Sequence, residues 1–109
     1  MKQNNKKIFN SEVLNNKFIL SKPNIMWYKN RPFFKLKDIE FLLLFCESNN
    51  IQILGAEGFY FYDNKIIPNS NEILDLSNIK NKKDGINFSR QYFKMVDDDN
   101  IYFEFVFNE

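Results

Sequence analysis

The sequence predicts an α+β fold: a single small domain, residues 1–109, with one mainly antiparallel sheet and at least two helices packed on it. Three observations predict it. Apolar residues around Phe41–Cys46 recur at helical spacing, whereas residues 51–67 and 101–107 alternate at strand spacing. The dipeptide Asp63-Asn64 separates two such alternating runs, and both residue types tolerate the positive φ that a tight hairpin turn demands. At 109 residues the chain buries roughly two-thirds of the surface its unfolded form exposes, enough for a core without staples. Thirteen Phe among the aromatics point to a Phe-rich core, because each ring buries a large area and favours strands. No repeat, heptad or linker interrupts the chain, and its three Gly and three Pro are scattered singly.

Taken in order, Lys17–Leu20 and Ile25–Tyr28 read as two short strands around the turn Ser21-Lys22-Pro23-Asn24. A helix follows from about Leu36 to Asn49. Ile39, Leu42, Leu43 and Cys46 fall at i, i+3, i+4 and i+7, and Asn49-Asn50 supply the stop. Leu44 shares the narrow polar stripe of Lys37, Glu40 and Glu47, so the helix is expected to be buried on more than one side or to dock a partner. Ile51–Leu54, Phe59–Tyr62 and Lys65–Ile67 then form the hairpin, with Gly55 and Gly58 marking a bulge or kink. Pro68 to Gly85 is polar and turn-like, with Glu72–Leu76 as a short element of either type. A second helix, Ile86–Val96, places Phe88, Tyr92, Met95 and Val96 on one face, and Asp97–Asn100 ends it. The last strand, Ile101–Phe107, is apolar on one face through Ile101, Phe103, Phe105 and Phe107. Val106 adds apolar surface to its other face, which places the strand inside the sheet.

The chemistry this composition permits is narrow. There is no His, hence no usual general base, triad member or neutral metal ligand. The single Cys46 lies in an apolar run, which predicts a buried, inert thiol and excludes an internal disulfide. Asp97-Asp98-Asp99 lacks the alternating acids and central Gly of a calcium loop. Gly55-Ala56-Glu57-Gly58 lacks the Lys-Ser/Thr of a phosphate loop and runs into an aromatic strand where a helix is required. Glu57 with Glu104 or Asp63 is a formal carboxylate pair, but any domain with fourteen acids offers such pairs. The expectation is a protein without catalytic residues, metal or cofactor, and without a small-molecule substrate. The basic start Met1–Lys7 has no long apolar stretch after it, and no run approaches a membrane span; the expected location is the cytoplasm, with no membrane partner.

Charge is unevenly spread. Residues 1–37 carry eight Lys and Arg31 against Glu12, a net +8, whereas residues 38–79 carry seven acids against Lys65, a net −6. Such asymmetry steers charged partners. Lys29 and Arg31 interleave with Trp27, Tyr28, Phe33 and Phe34, the mixture used for base stacking with phosphate contact. A small nucleic-acid-binding or regulatory adaptor protein using this basic third is therefore the alternative reading. Against it stand two Arg in all and a net charge of +1.

The segment from Leu36 to Tyr62 resembles a family of bacterial immunity proteins from polymorphic-toxin and contact-dependent growth inhibition systems, the immunity protein 40 family. The resemblance is carried by a leucine-rich helix, then Leu54, Gly55 and Glu57, with Phe59 or Tyr60 as the aromatic that follows. Ala56 stands where the family has a second Gly, and Gly58 where a β-branched residue is usual. Phe88-Ser89 through Phe107 is similar to the family's Ser-bearing helix and aromatic C-terminal strand, so about half the chain is covered. The resemblance implies a neutraliser that binds one cognate protein toxin. Since Tyr and Trp are enriched among interface hot spots, aromatics beside acids are the expected contact surface: Glu57, Tyr60, Tyr62 and Asp63, with Trp27 and Tyr28 second.

Overall fold

Five strands and two helices make up residues 24–108, the part of the chain that the computed structural model describes. They are β1 (Met26–Tyr28), β2 (Arg31–Lys35), α1 (Leu36–Ser48), β3 (Gln52–Tyr62), β4 (Lys65–Asp75), α2 (Lys82–Met95) and β5 (Tyr102–Asn108). The strands form one sheet in the order β1-β2-β5-β3-β4, and every neighbouring pair is antiparallel. The fold is α+β, as the sequence predicts.

Local chemistry sets the boundaries. Both hairpins close through two residues in left-handed conformation: Lys29 and Asn30 (φ 51° and 65°), and Asp63 and Asn64 (φ 51° and 63°). This backbone matches the twist of the flanking strands. Helix α1 stops at Asn49, whose side-chain amide donates to the Phe45 carbonyl at 2.9 Å, and Asn50 follows at φ 57°. The Asn81 side chain caps α2 by accepting from the Asp84 amide at 3.0 Å, with Asp84 in the first turn and Lys94 in the last.

The core lies between the sheet and the two helices. Phe34, Ile53, Ala56, Leu74, Phe103, Phe105 and Phe107 meet Ile39, Leu42, Leu43, Cys46, Ile86 and Phe93 there. The opposite sheet face carries its own aromatic cluster. Phe33 stands edge-on to Phe59 and Phe61, at 5.3 and 5.1 Å between ring centroids, and Phe61 is edge-on to Tyr102 at 5.3 Å. Strand β5, third of the five, is thus buried from both sides over Phe103–Phe105, which explains apolar character on both faces. Among the described residues no helix is long and apolar enough to cross a membrane.

Three sequence expectations need correction. Ile25–Tyr28 does supply a strand, but its partner here is β2, joined through Lys29-Asn30; the expected strand Lys17–Leu20 and its turn lie outside the described residues. Strand β2 escapes pattern reading because Pro32 precedes Phe33 and Phe34, which are buried on opposite faces and show no alternation. Next, Pro68 does not end the hairpin: β4 continues through it to Asp75. Pro32 and Pro68 face Trp27 and Phe59, the second and fourth pairs out from their two-residue turns. Such pairs do not exchange hydrogen bonds, so the missing N–H costs the hairpin nothing. Finally, α2 starts four residues before Ile86, and its buried face is Gly85, Ile86, Ser89 and Phe93; Phe88 and Met95 are exposed. Gly85 and Ser89 are both buried on this face, and the Ser89 hydroxyl donates to the Gly85 carbonyl at 2.8 Å.

Candidate functional site

The two hairpin turns bring four of the six expected contact residues together. Trp27 and Tyr28 end β1, Tyr62 ends β3, and Asp63 opens the second turn. With Met26, Lys29, Phe61 and Asn64 they line one open groove of about 500 Å³. Trp27 keeps 47 % of its surface exposed and Tyr62 67 %. Beneath them Tyr28 leans on Phe61 at 6.0 Å, and the Lys29 ammonium lies 5.4 Å from the Tyr28 ring centroid. The groove is therefore aromatic, walled by one cation and one anion, and held on rigid hairpins.

Tyr60 faces the helix side and lines a neighbouring groove with Tyr62 and Tyr102. Its hydroxyl donates to Asp98 at 2.5 Å and accepts from the Asn69 side chain at 3.1 Å, tying the β5 approach to β4. The hydrogen bond to Asp98 is the main reason its pKa is raised above that of an ordinary tyrosine. Tyr92 donates in the same way to Glu72, and burial followed by that bond raises its pKa as well. Asp98 thus has a defined structural partner, and Asp97 and Asp99 flank it in solvent.

Glu57 stands apart from the hairpin tips. The β3–β5 register sets it directly opposite Glu104, an arrangement of like charges that a sheet ordinarily avoids. Arg31 meets Glu104 with both arms: Nε donates to Oε2 and Nη2 to Oε1, each at 2.6 Å. Glu104 is 8 % exposed, so the ion pair compensates a carboxylate largely removed from water. These residues line a second open groove, about 590 Å³, with Leu54, Gly55, Ile73, Asp75 and Val106. Two irregularities shape it: β3 bulges at Leu54 against β5, and β4 skips from Ile73 to Asn69 opposite Glu57-Gly58. Gly55 is required there, because a Cβ would stand 2.6 Å from the Leu74 carbonyl oxygen.

Sequence reasoning names Glu57 but misses Arg31 and Ile73 as its neighbours. Arg31 and Glu104 are 73 residues apart, and only strand order makes them adjacent. Of the aromatics in the nucleic-acid alternative, Phe33 and Phe34 are buried and offer no stacking face, whereas Trp27 is exposed. Cys46 is buried as expected, and burial pushes its thiol pKa up to about 12. Among the described residues, no three His, Cys, Asp or Glu side chains converge as metal ligands would. Comparisons with protein-family models, with curated proteins and with solved structures return no match.

Proposed function

We propose that this protein acts by binding another protein, a cognate bacterial toxin that it neutralises, and that the groove at the paired hairpin tips is its contact surface. The observation that carries the reading is the joint exposure of Trp27 and Tyr62 on two adjacent hairpin tips, flanked by Lys29 and Asp63. Large rigid aromatics on a fixed scaffold lose little conformational entropy on contact and dominate interface energetics. The divided charge of the chain suits electrostatic steering of a partner. The likeness of Leu36–Tyr62 to an immunity family names the kind of partner.

The test is co-expression with the product of the neighbouring toxin gene. The wild-type chain is expected to rescue growth and to co-purify with that product. The double variant Trp27→Ala/Tyr62→Ala keeps the fold and weakens binding by about 2 kcal/mol or more per hot-spot residue. Failure of the wild type to rescue or co-purify refutes the toxin reading, and unchanged binding by the double variant refutes the assigned surface.

A further inference from the structure

We propose that Arg31, through its bidentate pair with Glu104, is a positioning residue for the groove at the hairpin tips: it fixes where the β1–β2 hairpin, with Trp27 and Tyr28, stands relative to Tyr62 and Asp63. The proposal rests on the protein-binding reading above and deepens it by saying what assembles the contact surface. The groove is composite, because Trp27, Tyr28 and Lys29 come from one hairpin and Phe61, Tyr62 and Asp63 from the other. Among the described residues, the first hairpin meets the rest of the sheet at two register positions, Phe34 opposite Phe103 and Lys35 opposite Tyr102. Both lie at the end of β2 remote from its turn. Within the described structure, β1 and the stretch Arg31–Phe33 are therefore placed by side chains.

Tyr28 leans on Phe61 at 6.0 Å, and Phe33 stands edge-on to Phe59 and Phe61. Arg31, directly after the turn Lys29-Asn30, meets Glu104 of β5 with two hydrogen bonds of 2.6 Å. Ring contacts gain from buried area and tolerate sliding, whereas a bidentate guanidinium–carboxylate pair fixes distance and orientation together. The pair also acts close to the tip, since Arg31 is the register partner of Tyr28. Strand order supplies its seat. Glu57 lies opposite Glu104, and the positive charge of Arg31 offsets the repulsion between these two carboxylates. The bond to Glu104 is the main reason the pKa of Arg31 is raised, and the charge of Glu57 adds to it.

Trp27 is the single Trp of the chain, so its fluorescence reports the first hairpin tip in the full-length protein. Ring NOEs between Tyr28 and Phe61 report the contact of that tip with β3. The deciding variant is Arg31→Met/Glu104→Leu, because an apolar pair restores stability without restoring direction. It is expected to unfold in urea close to the wild type, yet to lose the Tyr28–Phe61 NOEs and to expose Trp27 to stronger quenching by acrylamide. Arg31→Lys keeps the charge but gives up the fork, and is expected to fall between the two. NOEs and quenching like those of the wild type in the double variant would show that the pair only stabilises, and would overturn the proposal. Should that variant not fold, Glu104→Gln, which keeps the shape of the seat, is read in the same way. Toxin affinity is expected to fall about tenfold in the double variant, the effect of a contact surface no longer preorganised. Lost NOEs with unchanged affinity would refute the role in binding. The NOEs and the quenching need no partner, so a wild-type chain that binds no toxin overturns the functional reading without deciding the position of the hairpin.

Discussion

At the scale of single residues the protein spends stability on one polar arrangement inside an aromatic face. Arg31 and Glu104 lie beside Phe33, whose ring centroid is 5.6 Å from the guanidinium carbon. Removing Arg31 strands Glu104, whose side chain is only 10 % exposed. Arg31→Leu is expected to cost about 2 kcal/mol, below the full penalty for a broken buried pair because the arginine itself is partly solvated. The double variant Arg31→Met/Glu104→Leu is expected to recover most of that loss, since an apolar pair suits this face. Urea unfolding of the three proteins checks both statements, and a double variant no better than the single would show that the pair itself stabilises. Cys46 is a simpler case. With its pKa raised by burial, the thiol should react with a disulfide reagent at neutral pH only after denaturant is added.

Among the elements, the hairpins carry the site, and their turns decide whether the tips stay in place. Asn64 holds φ 63° at the second turn position, a conformation that costs most L residues about 1–2 kcal/mol and Asn much less. Asn64→Val is therefore expected to lower stability by about 1–2 kcal/mol, and Asn64→Gly to be neutral or stabilising, in denaturant titrations. Because Tyr62 and Asp63 directly precede this residue, the Val variant should also blur the amide resonances of the groove while leaving α1 and α2 unaffected. Helix α2 teaches a different lesson. Its buried face is Gly85, Ile86, Ser89 and Phe93, and the larger Phe88 and Met95 are turned outward. Apolar spacing alone does not say which of two stripes is buried when one of them includes Gly and Ser. Arg90 then bridges α2 to Glu40 of α1 at 2.9 Å and to Glu47 at 3.7 Å.

For the molecule as a whole, the titrating groups shifted by folding act at alkaline pH, except Asp75, whose pKa is lowered by hydrogen bonds from Ser77. No His is present, so no side chain with an ordinary pKa titrates between about pH 5 and 8. Tyr60, Tyr92 and Cys46 all have raised values in the folded state. A raised pKa means that the stabilising contribution is fully present below the unfolded value, about 9 for the thiol and 10 for tyrosine. It is lost as pH rises from there through the folded value. Stability is therefore expected to be flat near neutrality and to fall above about pH 9. Tyr92→Phe should reduce the steepness of that fall. Denaturant midpoints across this range test the sign, and a midpoint that rises with alkalinity would contradict the assignment.

The residues themselves specify α1, the Asp63-Asn64 hairpin and the internal strand β5, because each is written in local terms: 3.6-residue or two-residue periodicity and a dipeptide suited to left-handed backbone. The aromatics at the hairpin ends are also legible, as is the buried thiol. Strand order is not. Inserting β5 between β2 and β3 is a tertiary event, and it alone sets Glu104 across from Glu57 and within reach of Arg31. The two strand prolines are explained by the hairpin registers, which turn their nitrogens away from their hairpin partners, a direction that sequence cannot state until the pairing is known. Local free energies choose the elements. Which charges meet is decided by long-range pairing, whose closure entropy is offset by the Phe-rich core between the sheet and its helices.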